Sequence, residues 1–173
     1  MATTSAEVVY NRREWKSEFQ DHYITLQAHR LLRIKTKKFD SANLTVSTYH
    51  GVVLVTGEAP KAWQKTEAEA LIRKIPHVTK VYNLVTIQSP SSTLTRLSDT
   101  WLTSKVKSKL IASEDLDASK IKVVSENGIV YLMGVVPPDE GREAAKIASE
   151  TDGVLKVVTV FSYLHITNKP ELS

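Results

Sequence analysis

The sequence repeats itself, and this repetition restricts the chain to folds built from two similar units. Residues 43–57 (NLTVSTYHGVVLVTG) align with residues 120–134 (KIKVVSENGIVYLMG), so that Gly51 meets Gly128 and Gly57 meets Gly134. Shorter matches continue the alignment on both sides, with the one-residue drifts that loop insertions produce. We therefore predict two copies of one unit of about 70 residues each.

The repeat also indicates how the chain is divided. We place the two copies at residues 20–88 and 98–167, joined by a linker at 89–97 that contains several Ser residues and one Pro. Residues 1–19 then form a leader, and residues 168–173 form a short tail.

Each copy begins with a predicted helix followed by a hairpin. We expect the helix to begin at Asp21 in the first copy and at Asp99 in the second, because aspartate is a favoured N-cap residue. In the second copy Leu102, Val106 and Leu110 recur at helical spacing and predict its buried face. The hairpin is indicated by alternating apolar residues around a central glycine, most clearly at residues 127–128, where Asn-Gly favours a type I′ turn.

The second half of each copy predicts another helix and a third strand. Pro60 and Pro137 precede the second helix, near the first turn, where proline is tolerated. The third strand is expected at residues 78–87 in the first copy and 154–166 in the second. The predicted order is therefore α-β-β-α-β, and the predicted class is α+β, with two helices packed on a three-stranded mixed sheet in each unit.

Composition excludes several kinds of chemistry. The chain has no cysteine, which excludes disulfides, thiolate nucleophiles and zinc–thiolate sites. Its five histidines are scattered, and no two lie four positions apart beside a glutamate, as a zinc-protease helix requires. The sequence carries no nucleophile elbow, P-loop or dinucleotide fingerprint, and no apolar run long enough for a membrane span. We therefore predict a non-enzyme without a cofactor or metal ion.

The motifs of the second copy resemble those of the BON domain family. The resemblance rests on residues 99–106 (DTWLTSKV), 121–134 (IKVVSENGIVYLMG) and 152–157 (DGVLKV). The first copy is looser, with Pro-His-Val at residues 76–78 where Asp-Gly-Val is usual. The leader segment Tyr-Asn-Arg-Arg at residues 10–13 also resembles the stretch before the first domain of dual-BON outer-membrane lipoproteins.

The resemblance implies a fold, a location and a ligand. In dual-BON lipoproteins the precursor carries a lipoprotein signal and a lipidated cysteine, so residues 1–19 are expected to lead to an N-terminal anchor absent from the given sequence. The second domain of such proteins binds anionic phospholipid. We accordingly expect a periplasmic, outer-membrane-associated protein that binds phosphatidylglycerol or cardiolipin and supports envelope integrity, with envelope proteins as further possible partners.

The first helix of the second copy carries the candidate lipid site. Lysine ammonium groups can lie at the phosphate level while Trp and aliphatic side chains enter the acyl boundary. Carried over by position from the family, the expected contacts are Trp101, Lys105, Val106, Lys109 and Ile111, with Arg96, Leu102 and Lys107 as neighbouring candidates. Periodicity at the same time assigns Leu102 and Val106 to the buried face.

Two other interpretations remain open at this point, and a third is not expected. The basic run at residues 30–38 either binds phosphate groups or is a solvated helix end, where cations favour the helix dipole. The alternative function is a protein-interaction scaffold in the cell envelope that pairs through the edges of its third strands. Nucleic-acid binding is not expected, because the strands carry no aromatic pair of the RNA-recognition type and no Gly-x-x-Gly clamp.

Overall fold

A computed structural model describes the backbone of residues 4–164 and the side chains of residues 16–164. The chain forms two compact units, the first ending at Ser91 and the second beginning at Ser92. The expected tail at 168–173 and the last residues of the expected third strand lie outside the described residues, as do the side chains of residues 10–13.

Unit 1 contains two long helices and one mixed sheet. Strands β1 and β2 pair antiparallel, and β2 pairs parallel with β3 and β4. The expected third strand is divided in two, because the ladder is interrupted opposite residues 56–57 of β2. Its elements are α1 (Thr4–His29), a π-helical turn (Arg30–Ile34), a 3-10 turn (Lys37–Phe39), β1 (Asn43–Tyr49), β2 (Val52–Ala59), α2 (Ala62–Arg73), β3 (Lys80–Asn83) and β4 (Thr86–Ile87).

Unit 2 has the same order with an uninterrupted third strand. The sheet order is β5-β6-β7, antiparallel between the first two strands and parallel between the last two. Its elements are α3 (Thr93–Ala112), a 3-10 turn (Ala118–Lys120), β5 (Ile121–Glu126), β6 (Ile129–Val136), α4 (Pro138–Ser149) and β7 (Lys156–Tyr163). Both units confirm the predicted α+β class and the α-β-β-α-β order.

Each unit has its own hydrophobic core between its helices and its sheet. In unit 1 the helices contribute Ile24, Ala28, Ala68 and Ile72, all fully buried. In unit 2 the predicted face of α3 is confirmed, since Leu102, Val106 and Leu110 all lie in the core. Burial of apolar area of this kind is the main favourable term in the folding of each unit.

The predicted helix starts at Asp21 and Asp99 are wrong. Both aspartates lie well inside longer helices, and α3 is instead capped by Ser92, whose hydroxyl oxygen accepts from the amide of Thr95 at 3.2 Å. The carboxylate of Asp99 has another function: its two oxygens accept from the backbone amides of Asn127 at 2.7 Å and Gly128 at 2.9 Å. Asp99 therefore fastens α3 to the β5–β6 turn.

Asp21 makes the same bonds in unit 1. Its two oxygens accept from the amides of His50 at 2.7 Å and Gly51 at 2.9 Å. Residues at both turns have positive φ, 48° at His50 and 52° at Asn127, as a type I′ turn requires. The repeated aspartate is thus part of the fold, because it satisfies two turn amides that no strand partner reaches.

Replacing Asp99 with alanine is expected to destabilise unit 2. Asp99 is 6% exposed and its carboxylate accepts two charge-assisted hydrogen bonds, so its loss removes both bonds between α3 and the turn. We expect Asp99→Ala to lower the free energy of unfolding by about 2 to 4 kcal/mol, measured by urea denaturation followed by circular dichroism. The control is Asp115→Ala in an exposed loop, which should change stability by less than about 0.5 kcal/mol. Equal midpoints for the two variants would contradict this role.

Candidate functional site

The outward side of α3 exposes an unusual number of large apolar side chains. Trp101 is 68% exposed, and Leu94, Leu97 and Ile111 are exposed to a similar degree. Leu94, Leu97 and Trp101 occur at positions i, i+3 and i+7, which places them along one side of the helix. These residues lie away from the core-facing residues of the same helix, so α3 has apolar side chains on two opposite sides.

Cationic side chains surround this apolar row. Arg96, Lys105, Lys107 and Lys109 are the basic residues of α3, and its single acidic residue is the buried Asp99. None of the four basic groups forms an ion pair with any residue among 16–164. We define the α3 outer face as the exposed apolar and basic side chains of this helix: Leu94, Arg96, Leu97, Trp101, Lys105, Lys107, Lys109 and Ile111.

Lys105 has a fixed position within the α3 outer face. Its ammonium Nζ donates to the backbone carbonyl of Asp152 at 2.7 Å, in the loop that joins α4 to β7. The side chain is partly buried, whereas Lys107 and Lys109 are exposed. Since the partner of Lys105 is a carbonyl and not a carboxylate, its positive charge is not neutralised.

The structure divides the eight candidate residues into two groups. Trp101, Lys105, Lys109, Ile111, Arg96 and Lys107 all reach the surface of α3. Leu102 is 4% exposed and Val106 is fully buried, because both pack between α3 and the sheet. We therefore correct the candidate set: these two residues belong to the core and cannot contact a ligand at the surface of the folded unit.

Sequence reasoning missed part of the α3 outer face. Leu94 and Leu97 lie in the first turns of α3, which the misplaced helix start at Asp99 left in the linker. The signal that would have found them is Ser92, a favoured N-cap residue at the position where the helix begins. With the start at Thr93, the spacing of Leu94, Leu97 and Trp101 indicates a single exposed row.

Among the described side chains, the first helix of unit 1 also exposes large apolar residues, Phe19, Tyr23 and Leu26, but not the basic residues of α3. The alignment of Asp21 with Asp99 brings Tyr23 to the position of Trp101, Gln27 to that of Lys105 and Glu18 to that of Arg96. The corresponding side of α1 is therefore not a cationic face. The two copies have kept one architecture and differ in the surface that their first helices present.

The basic run of unit 1 lies around the π-helical turn and the 3-10 turn. Within it, the ammonium group of Lys38 forms an ion pair with Glu67 at 3.0 Å, and the guanidinium of Arg33 makes a long 3.5 Å contact to the carbonyl of Leu44. Two of its five cations are thus engaged within unit 1.

A depression in unit 1 is shallow, and three of its polar side chains are bonded within the fold. It has a volume of about 340 Å³ and lies between α2 and β3. The guanidinium of Arg73 donates to Glu69 at 2.6 Å, which lowers the pKa of that carboxyl group, and the amide of Asn83 donates to the carbonyl of Lys65. With Glu69, Arg73 and Asn83 already bonded within the fold, this depression is a poor binding site.

The described part of the chain has neither a cluster of metal-ligating side chains nor a membrane-spanning helix. No group of three or more His, Asp or Glu side chains there is arranged to hold a metal ion. None of the helices described combines the length and the apolar character needed to cross a bilayer. The α3 outer face is therefore the surface with the clearest chemical character among the described residues.

Comparison with known proteins identifies the family. The BON domain matches twice, at residues 21–89 and at residues 98–164. The outer membrane lipoprotein DolP of Haemophilus influenzae is 34% identical over 161 residues, which cover 92% of this chain and 83% of that protein. The 21 kDa hemolysin of Actinobacillus pleuropneumoniae is 34% identical over 125 residues, covering 72% of this chain and 64% of that protein.

A third relative is less similar in sequence. The osmotically-inducible protein Y of Escherichia coli is 28% identical over 120 residues, covering 68% of this chain and 60% of that protein. The two matched segments together span most of the 173 residues, and each coincides with one of the two units. This chain belongs to the BON domain family and contains two BON domains in tandem.

Proposed function

We propose that this protein is a non-catalytic module that binds anionic phospholipids through the α3 outer face. The observation that supports the proposal is the combination on one helix of exposed Trp101 and leucines with four basic residues and no exposed acid. Apolar side chains flanked by lysine are typical of helices that lie in the headgroup region of a bilayer. Such a surface supports the binding of a lipid and not its chemical conversion.

The energetics favour reversible attachment. Each basic residue near an anionic surface contributes about 1 kcal/mol, so four of them contribute at most about 4 kcal/mol at moderate ionic strength. The indole of Trp101 adds a favourable apolar term, because its ring reaches the acyl boundary while its N–H remains near water. A surface of this strength holds a protein near a membrane most effectively when a second attachment is present.

The relatives support a place in the cell envelope. One of them is named an outer membrane lipoprotein, and the chain covers 83% of its length. We propose that this protein likewise acts at the periplasmic face of the outer membrane, held by a lipid anchor in its natural precursor. Phosphatidylglycerol and cardiolipin are the proposed ligands, and support of envelope integrity is the proposed consequence.

Vesicle binding tests the proposed function. We expect co-sedimentation with phosphatidylcholine vesicles that contain roughly one-third phosphatidylglycerol, and little with phosphatidylcholine alone, because the basic residues need an anionic surface. Raising the ionic strength from about 0.1 M to about 1 M shortens the Debye length from ~10 Å to ~3 Å and should release most of the protein.

The alternative function gives the opposite results. A protein-interaction scaffold that pairs through the edge of β7 would sediment equally little with both kinds of vesicle. Its partner complexes would also survive high salt in the absence of lipid. Equal sedimentation with neutral and anionic vesicles would therefore overturn the lipid-binding proposal.

A further inference from the structure

Leu155 is an exposed apolar side chain that the fold does not explain. It is 81% exposed, the highest value for any large hydrophobic residue in the described part of the chain. It lies in the loop between α4 and β7, one residue before β7 begins at Lys156. No core cluster among the described residues includes it.

The loop that carries Leu155 is held firmly in place. The amide of Leu155 donates to the carbonyl of Gly128 at 2.9 Å, and the amide of Gly128 donates to Asp99 at 2.9 Å. The loop is held a second time by Lys105, whose ammonium donates to the carbonyl of Asp152 at 2.7 Å. Leu155 is therefore presented by a loop that is already ordered.

These bonds place the loop beside the part of α3 that carries Trp101. Asp99 and Lys105 lie before and after Trp101 in α3, and each is connected to the loop or to the turn against which the loop rests. The loop glycine Gly153 also approaches the Leu102 side chain, since a Cβ atom at Gly153 would lie 3.5 Å from it. Leu155 thus belongs to a loop that borders the Lys105 edge of the α3 outer face.

The first copy shows that the fold does not require leucine at this position. Thr79 occupies the equivalent place in unit 1, and its amide donates to the carbonyl of Gly51 at 2.9 Å, the same bond that Leu155 makes. The Thr79 side chain also covers Gly51 as Leu155 covers Gly128. Since a small polar residue makes these contacts equally well, the apolar side chain in unit 2 has a reason outside the folding of the loop.

We propose that Leu155 is a second insertion point of unit 2 into an anionic bilayer, next to the one formed by α3. This inference rests on the lipid-binding function proposed above and extends its site to a residue outside the helix. We take a membrane and not another protein surface as the occupant, because Leu155 is followed by the exposed cation of Lys156 and its loop is bonded to the Lys105 ammonium through the Asp152 carbonyl. The two exposed acids of the loop, Glu150 and Asp152, precede Leu155 by five and three residues. Leucine beside lysine matches the acyl boundary beneath anionic headgroups.

Two insertion points would fix the orientation of unit 2 on the membrane. A single row of side chains on α3 allows the unit to roll about the helix axis, whereas a further contact from the α4–β7 loop prevents this rotation. The ordering cost is small, because the hydrogen bonds to Gly128 and Lys105 have already immobilised the loop. Leu155 therefore contributes nearly its whole apolar transfer energy to binding.

The first test exchanges Leu155 for the residue that unit 1 uses. Leu155→Thr is expected to fold normally and to bind vesicles rich in phosphatidylglycerol about five- to tenfold more weakly. The matched control is Leu26→Thr, at a leucine that is 56% exposed in unit 1 and lies outside the proposed contact. We expect it to bind as the unmodified protein does. Equal affinities for Leu155→Thr and Leu26→Thr would overturn the inference.

The second test measures insertion directly. Because the chain has no cysteine, a single Leu155→Cys variant can be labelled with an environment-sensitive fluorophore at that position alone. We expect the emission to shift to the blue on anionic vesicles and to remain unchanged on neutral ones. A label at Thr79, through Thr79→Cys, should not shift. An unshifted emission at position 155 on bound protein would overturn the inference even if Leu155→Thr binds weakly.

The two proposals fail in different ways. If the unmodified protein does not bind anionic vesicles, the lipid-binding function and the insertion of Leu155 are both overturned. If the protein binds and Trp101→Ala weakens binding, while Leu155→Thr has no effect, the function stands and the role of Leu155 is overturned. Weakening by both variants, together with the shift in emission, supports both proposals.

Discussion

Gly134→Ala is expected to leave unit 2 largely unfolded. Gly134 has φ of 153°, in the region that favours glycine, and it pairs with Ile121 across the β5–β6 ladder. A Cβ atom there would lie 2.0 Å from the carbonyl oxygen of Lys120, a backbone atom that cannot move without breaking the ladder. Strain and clash together should cost more than about 4 kcal/mol, which is comparable to the whole stability of a small domain.

The measurement is urea denaturation followed by circular dichroism, with Gly141→Ala as the control. Gly141 lies in α4, where a Cβ atom would meet the partly exposed ring of Tyr163 at 3.0 Å and the buried ring of Phe161 at 3.3 Å, but no backbone atom. Alanine gains helix propensity there, so we expect a change within about 1 kcal/mol. A Gly134→Ala protein as stable as the control would show that the two strands do not approach each other as described.

The repeat extends this prediction to unit 1. Gly57 has φ of 105°, and a Cβ atom there would also lie 2.0 Å from a backbone carbonyl, that of Asn43. The alignment of Gly57 with Gly134 is visible in the sequence, but the physical reason for a glycine at both positions is not. The strand pairing supplies the reason: each glycine lies against the backbone at the start of the neighbouring strand, where a Cβ atom would not fit.

The sequence was most informative where local pattern and tertiary structure agree. The Asn127-Gly128 turn and the spacing of Leu102, Val106 and Leu110 each follow from a single local rule, and the structure confirms both. The predicted helix starts were wrong because an aspartate in or near a helix can have either of two roles. Its carboxylate can cap the helix to which it belongs, or it can accept from amides distant in sequence, as Asp99 does.

The candidate site was only partly predictable for a similar reason. The family resemblance makes Val106 a lipid contact, whereas helical periodicity places it in the core. The structure shows Val106 fully buried, in agreement with the periodicity. Leu155 could not be recognised from its neighbours, because a leucine near the start of a strand is usually part of the core. Its exposure depends on hydrogen bonds to Gly128 and Asp152 that no local pattern encodes.

Net charge alone points to unit 1 and not to the unit that carries the proposed site. Residues 91–173 contain 10 basic and 11 acidic residues, a net charge of −1, whereas residues 1–90 contain 13 and 8, a net charge of +5. Within α3, however, four basic residues oppose a single buried acid. Unit 2 is therefore strongly asymmetric in charge, and its acidic residues lie mostly outside the helix proposed to meet the membrane.

This asymmetry makes Trp101 the position where one substitution should do most to abolish lipid binding. We expect Trp101→Glu to weaken binding to anionic vesicles about a hundredfold, because it removes the largest inserted side chain and adds a charge that the surface repels. Trp101 is 68% exposed and glutamate is a good helix former, so the free energy of unfolding should change by less than about 0.5 kcal/mol. Vesicle co-sedimentation and urea denaturation measure the two quantities separately.

The matched control for Trp101→Glu is Tyr23→Glu. Tyr23 holds the equivalent position in unit 1 and is 42% exposed, but the positions that correspond to Arg96 and Lys105 hold Glu18 and Gln27. Attachment through the α3 outer face predicts that Tyr23→Glu binds as the unmodified protein does. If both variants lost affinity equally, general charge repulsion between protein and membrane would explain the effect. If neither lost affinity, the contact would lie elsewhere on the protein, and the role proposed for α3 would be wrong.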